Sequence, residues 1–299
     1  MTEEEMTLID RIDAIRKADQ KYDLRNRAYL SFSGGKDSTI LHHLLDIALP
    51  DNKIPRVFID TGIEYVAIRK FVQSLAEKDP RIVMIKPSKP IKAVLEEYGY
   101  PFKSKEHSAI LAQYQRNGTE TRWVRTYLKM EGSKFLTCPA SLRYQFSDGF
   151  GMKVSDQCCL RLKKEPAKKW AKENNRPITI TGMRREEGGQ RRSLGCVITD
   201  KRGKVAKFHP LAPVSEGWED WIVKEHGIGL CELYGEPYNF ERTGCKGCPF
   251  SRNLADQLTI MERYLPAERK QCEIIWKPVY DEYRRIGYRL EENEQLRLF

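Results

Sequence analysis

Apolar residues recur along this chain with two different rhythms. Met6, Ile9, Ile12 and Ile15 fall near the helical period and predict an amphipathic helix over 6–21. Short apolar runs at 28–32, 56–59, 81–85 and 177–181 read as strands. Stretches 39–49, 90–98 and 165–174 read as helices between them. Strands alternating with helices predict an α/β fold, a doubly wound and mainly parallel sheet covered on both faces. Ligands of such sheets bind at the carboxyl ends of the strands. Three turns fall at those ends: Ser33-Gly34-Gly35-Lys36-Asp37-Ser38, Asp60-Thr61-Gly62 and Gly182-Met183-Arg184.

Two regions break this rhythm. Segment 103–157 is polar and aromatic without a strand pattern, and reads as an insertion over the site, helical within 109–130. From residue 251 the chain reads as helical and charged, with Leu254, Leu258, Met261 and Leu265 on one side. The expected organisation is a nucleotide domain over 1–250 and a helical C-terminal extension over 251–299.

Composition narrows the class. The chain has 299 residues, 40% of them hydrophobic, and a formal net charge of +10. No apolar run approaches the roughly 20 residues of a membrane span, so no membrane partner is expected. The acidic start Met1-Thr2-Glu3-Glu4-Glu5 lacks the basic and apolar regions of a secretory signal, and the expected location is the cytoplasm. The positive balance suits an anionic ligand, a nucleotide or a nucleic acid. It concentrates in 163–172 and 184–207, where Lys163, Lys164, Lys168 and Lys169 equally read as a solvated helix face.

The glycine turn carries the strongest chemical signal. A strand, a Gly-Gly turn and a helix in that order make an anion site. Gly34 and Gly35 have no Cβ, so a phosphate can approach their backbone. The first amides of the following helix have no intrahelical partner and point at that phosphate. Ser33 and Ser38 offer hydroxyls and Lys36 offers charge. Gly182 and Arg184 close the same end of the sheet, and guanidinium presents a planar donor fork to phosphate or sulfate oxygens. Asp60 is a candidate Mg²⁺ ligand, and Asp37 either joins it or caps the helix.

Ser33–Ser38 resembles the SGGxDS motif of the PP-loop ATP pyrophosphatases, the adenine nucleotide alpha-hydrolase superfamily, which split ATP into AMP and pyrophosphate. A narrower likeness covers about 28–250. Cys158-Cys159 with Arg161 and Lys163-Lys164, Thr181-Gly182-Met183-Arg184 through Glu187, His209-Pro210-Leu211, Trp218-Glu219-Asp220-Trp221, Leu233-Tyr234-Gly235, Thr243-Gly244-Cys245 through Pro249, and Asp60-Thr61-Gly62 with Glu64 resemble segments of the phosphoadenosine-phosphosulfate (PAPS) reductase family. That resemblance implies a [4Fe–4S] cluster on Cys158, Cys159, Cys245 and Cys248, since a cuboidal cluster takes one thiolate per iron. Zinc accepts the same four donors. Cys138, Cys196 and Cys231 read as small buried residues. Cys272 reads either as packing or as a thiol that attacks sulfur.

Three functional readings follow. The leading one is a PP-loop enzyme that uses Mg²⁺ and ATP in sulfur activation or transfer, with Lys36, Asp37 and Arg184 as catalytic candidates. The second is PAPS or adenylyl-sulfate reduction with release of sulfite. Against it, the chain lacks the late E-C-G-x-H segment of sulfonucleotide reductases and ends in Glu294-Gln295-Leu296-Arg297-Leu298-Phe299. The third is a non-catalytic module that binds nucleotide or nucleic acid. Candidate partners are a nucleic acid or a protein as sulfur acceptor, and a thiol or iron–sulfur electron donor.

Overall fold

A computed structural model describes residues 1–130, 137–186, 188 and 191–290. Glu187 and the segment 294–299 therefore lie outside the described residues. The chain forms two compact units.

The first unit comprises Met1–Asp60, Glu64–Lys86 and Glu165–Gly244. It holds one six-stranded sheet: β1 (Ala28–Ser31), β2 (Arg56–Ile59), β3 (Ile82–Ile85), β4 (Ile178–Ile180), β5 (Val197–Thr199) and β6 (Val205–Phe208). The strand order is β3-β2-β1-β4-β6-β5. All pairings are parallel except the β5–β6 hairpin. Winding proceeds outward from β1 through α3 (Lys36–Ala48) to β2 and through α4 (Val66–Ala76) to β3. It then returns through α8 (Glu165–Glu173) to β4 on the other side of β1. Because parallel crossovers are right-handed, that reversal puts α8 on the opposite face from α3 and α4. Here the direction switches between β1 and β4, which opens a crevice at their carboxyl ends.

The core follows from sequence. Ala28, Leu30, Ile178 and Ile180 are fully or almost fully buried in the central strands, and Ile40, Leu41, Leu44 and Leu45 line the buried side of α3. The predicted first helix is α1 (Glu3–Tyr22), longer than expected at both ends. Thr2 and Glu5 form a capping box there, satisfying two amides that apolar spacing does not report. Among the elements that escape the apolar pattern are α4, α9 (Glu216–Glu225), β5 and β6. β5 carries no buried residue, so it lacks the in–out alternation by which a strand is recognised.

The second unit comprises Thr61–Ile63, Pro87–Lys164 and Cys245–Phe299. It contains α5 (Ile91–Tyr98), α6 (Lys105–Asn117), α7 (Arg122–Tyr127), α10 (Leu254–Tyr264), α11 (Pro266–Ile275) and α12 (Lys277–Arg285). The single helix expected within 109–130 is thus two, parted at Gly118, whose φ of +57° an L side chain rarely adopts. Its core is aromatic: Phe102 meets Tyr283 edge-on at 4.7 Å, and His107 meets Phe146 at 5.8 Å. Buried His107 holds Tyr127 and Gln145 at 2.8 Å each, and burial lowers its pKa to about 4, so it is neutral here. Among the described residues no helix is long and apolar enough to cross a membrane.

Candidate nucleotide site and cysteine cluster

The turn after β1 is built to leave its backbone open. Gly34 sits at φ +70°, and a Cβ there would lie 2.7 Å from Val72 Cγ2. Gly35 is the N-cap of α3 and supplies no side-chain cap to this thirteen-residue helix, while the Tyr234 hydroxyl reaches the Lys36 backbone at its start. Ser38 braces the turn: its hydroxyl donates to the Gly35 carbonyl at 2.9 Å and meets Ser33 Oγ at 3.0 Å. Ser33 N donates to Ser38 Oγ at 3.2 Å, and Gly35 N donates to Ser33 Oγ at 3.3 Å. The two serines therefore shape the turn as well as offering hydroxyls to a ligand.

Gly182 brings the end of β4 onto this turn. A Cβ at 182 would fall 2.9–3.0 Å from the Asp37 Cβ, carbonyl carbon and oxygen. Asp37 occupies the first turn of α3 behind the Gly35 cap, so it is not the helix cap. Arg184 is buried, with Nε 3.6 Å from Asp37 Oδ1 and 3.2 Å from Glu219 Oε2, and Nη1 2.8 Å from Glu186 Oε2. Lys36 pairs with Asp220. Asp60, at the end of β2, is buried and pairs with Arg69 Nε at 3.2 Å. Arg191 is half-buried, and neighbouring Arg242 and Asp37 act on it electrostatically, whereas Arg192 is exposed. Thr61 and Gly62 belong to the second unit.

Sequence reasoning does not single out Glu219 and Asp220 as site residues. Both stand on α9, which Ser215 caps by accepting from Trp218 N. Glu219 is fully buried, and burial with the nearby Asp37 charge raises its pKa to about 8. The available signal is Ser215 as a cap ahead of apolar Trp218, Trp221 and Ile222 at helical spacing. Tyr234 enters the sequence reading through the family resemblance alone. Its hydroxyl meets Thr243 Oγ1 and lies 3.0 Å from where a Gly35 Cβ would be.

All four candidate cluster cysteines lie in the second unit. Cys158 and Cys159 open a helical segment directly after Gln157, followed by a π-helical turn, Leu160–Lys164. Such turns re-aim side chains and are frequent at functional sites. Cys245 and Cys248 are joined by a turn in which Cys248 N donates to Cys245 O at 3.2 Å and Gly247 has φ +60°. A Cβ at 247 would strike Tyr280 Oη at 2.5 Å and Cys272 Sγ at 2.7 Å. Tyr280 donates to Gly247 O, Trp276 Nε1 donates to Lys246 O at 3.1 Å and Tyr283 donates to Pro249 O at 3.0 Å. Helices α11 and α12 thus clasp the C-x-x-C loop.

The two cysteine pairs lie within electrostatic reach of one another. Cys158 is pushed up by its hydrogen bond to Cys159, by burial and by the charges of Cys159, Cys248 and Cys245. Cys159 is lowered to about 6 by the Cys158 hydrogen bond, aided by Lys105, Lys163 and Lys164. Burial raises Cys248 to about 12. Two thiol pairs that feel one another's charge, with Lys105, Lys163 and Lys164 acting on Cys159, are donor chemistry that fits an anionic thiolate-held centre. Among the described residues, no three His, Cys, Asp or Glu side chains are close enough to hold an ion as they stand. Cys272 is fully buried beneath Gly247, and burial raises its thiol to about 12.

With that geometry in place, the phosphoadenosine phosphosulfate reductase domain matches residues 27–127 and 137–251. The chain belongs to this family. It is therefore a PAPS reductase-like, PP-loop nucleotide-binding protein of the adenine nucleotide alpha-hydrolase superfamily. A curated relative, the uncharacterized protein MJ0973 of Methanocaldococcus jannaschii, is 27% identical over 286 residues, 91% of this chain and 56% of its own length. This chain thus spans little more than half of that relative. Among solved structures, the phosphoadenylyl-sulfate reductase of Candida auris aligns over 78% of this chain and 93% of its own, at 15% identity and a TM-score of 0.42. The NH3-dependent NAD synthetase of Campylobacter jejuni aligns over 98% and 100%, at 14% and 0.40. Likeness at that level says nothing about chemistry.

Proposed function

We propose that this PAPS reductase-family protein binds ATP with Mg²⁺ in the Ser33–Ser38 cradle and cleaves it to AMP and pyrophosphate, activating an acceptor for sulfur transfer. The carrying observation is the braced Gly34-Gly35 turn leading into the N-terminus of α3, which has no side-chain cap, at the β1/β4 switch point, with Lys36 and Arg184 on the same unit. An acceptor oxygen attacks the α-phosphorus, forming an adenylylated acceptor as the bond to the bridging oxygen breaks and pyrophosphate leaves. Sulfur then displaces AMP from the acceptor, and in the absence of acceptor water attacks and gives AMP directly. Lys36 and the α3 amides stabilise the negative charge that spreads over the leaving oxygens. Arg184, anchored between Asp37, Glu186 and Glu219, presents its guanidinium to the phosphate with little reorganisation. Asp60 is the candidate oxygen ligand for Mg²⁺. A [4Fe–4S] cluster on Cys158, Cys159, Cys245 and Cys248, when bound, supplies a soft site for sulfur or electrons.

The burial of Cys272 speaks against the reductase reading that uses it as nucleophile, since a thiol held near pKa 12 is scarcely ionised at neutral pH. The test is anaerobic incubation with ATP, adenylyl sulfate and PAPS in separate reactions. This reading expects AMP and pyrophosphate from ATP and no sulfite from the sulfonucleotides. Sulfite release without ATP cleavage would replace it with the reductase.

A further inference from the structure

The β5–β6 hairpin of the first unit takes no part in the chemistry above. Its tip is a tight turn organised by Asp200. Asp200 N donates to Lys204 O at 2.7 Å, Gly203 N donates to Asp200 O at 3.0 Å, and Asp200 Oδ1 accepts from Arg202 N at 2.8 Å and Lys204 N at 2.9 Å. Gly203 holds φ +75°. The one carboxylate in the turn is thus committed to backbone amides. Lys201, Arg202 and Lys204 project from a fixed scaffold and are exposed. Lys207 on β6 is also exposed, beside Ile198 in the register. Among the described residues none of these four cations makes an ion pair, and neither does exposed Arg192 at the base of the hairpin.

β5 is the edge of the sheet, so its outer backbone groups have no strand partner. Val197 and Ile198 are 37% and 36% exposed along it. An exposed edge invites pairing. β5 itself carries no charge, and the cations flank it at the tip, on β6 and at the base. A second copy added antiparallel across a two-fold would set one basic tip against the arginines at the other copy's base, so like charges meet at both ends. A polyanion meets attraction at the tip, at Lys207 and at the base instead.

The direction of the edge adds a connection. β6 runs parallel to β4, so the hairpin tip lies at the amino end of the sheet and the base at the carboxyl end. Arg191, at that base, feels the charge of Asp37 in the cradle turn. We infer that the β5–β6 hairpin is a docking edge for a single-stranded nucleic acid, held by Lys201, Arg202, Lys204 and Lys207 and led by Arg191 and Arg192 toward the nucleotide end of the sheet. Val197 and Ile198, exposed on opposite faces of the edge strand, each offer unstacked bases or sugars an apolar contact, which a duplex with its bases stacked inside does not use. This inference stands whether or not the protein cleaves ATP, because binding is read without turnover.

The experiment is fluorescence anisotropy of labelled oligothymidylate and oligouridylate across a salt series, on the full chain. Wild type binds, and affinity falls with salt. The triple variant K201E/R202E/K204E binds at least about tenfold more weakly, and its log–log salt slope falls by about 2, at near 0.7 for each single-strand phosphate it no longer neutralises. Its affinity for ATP is unchanged, which also shows that it folds. V197S/I198S weakens the single strand and leaves the salt slope alone. Equal binding by the triple variant overturns the inference, as does duplex bound as tightly as single strand. So does displacement of the oligonucleotide by polyglutamate at matched charge, which would make the edge a site for acidic protein.

Discussion

A side chain at position 182 has nowhere to go. Its Cβ would press on the Asp37 backbone, which cannot swing aside as a flexible side chain would. Gly182→Ala is expected to cost about 1–3 kcal/mol of stability and to push Arg184 off the cradle. Urea titration with ATP-binding isotherms checks both effects. Lys36→Ala is expected to leave the fold intact, because the described ion pair of Lys36 is with the exposed carboxylate Asp220, and to lower the proposed AMP formation by about a hundredfold or more. Glu219 makes a prediction of the opposite kind. Its folded pKa is raised from 4.5 to about 8, so the folded state binds its proton more tightly than the unfolded state does. That contribution is complete below about pH 4.5 and is lost as pH rises through about 8. Wild-type stability falls across this window by on the order of a few kcal/mol, and Glu219→Gln, which cannot ionise, falls less. Urea midpoints of the two proteins at about pH 5 and about pH 9 test it; parallel profiles would refute it.

At the level of elements, the parts legible in sequence are those whose apolar period is uncontested. β2 keeps the bounds its apolar run predicts, because Arg56–Ile59 leads directly to Asp60. The cradle is legible because glycine, serine and charge fall in one contiguous hexapeptide. What stays hidden comes from long-range placement. Glu219 is a surface-type residue whose burial depends on α9 meeting α3, and nothing local announces it. β5 is exposed on both faces and shows no period. The grip of Tyr280, Trp276 and Tyr283 on the C-x-x-C loop joins residues about thirty positions apart, so their helix reads simply as amphipathic. That grip predicts that Gly247→Ala is more damaging than its size suggests. The added carbon meets Tyr280 and Cys272 at a positive φ, so the loop must shift. If the proposed cluster sits on these four cysteines, Cys158→Ser and Cys248→Ser are each expected to lower iron and sulfide content in anaerobically purified protein. Unchanged iron in both would remove these residues from the ligand set.

At the scale of the whole molecule, the same family frame carries two kinds of equipment. The first unit has the proposed phosphate cradle at its strand ends and a basic edge hairpin. The second has an aromatic helical body that carries two cysteine pairs within electrostatic reach of one another. The net charge of +10 is therefore local as much as global, and salt should weaken any polyanion partner far more than it weakens ATP. The central claim is that the cradle directs attack to the α-phosphorus. The most direct measurement is phosphorus NMR of ATP and Mg²⁺ with the anaerobic protein, beside Lys36→Ala as control. The expected spectrum gains AMP and pyrophosphate with wild type and stays unchanged with the variant. ADP and inorganic phosphate from wild type, or identical turnover by Lys36→Ala, would contradict it.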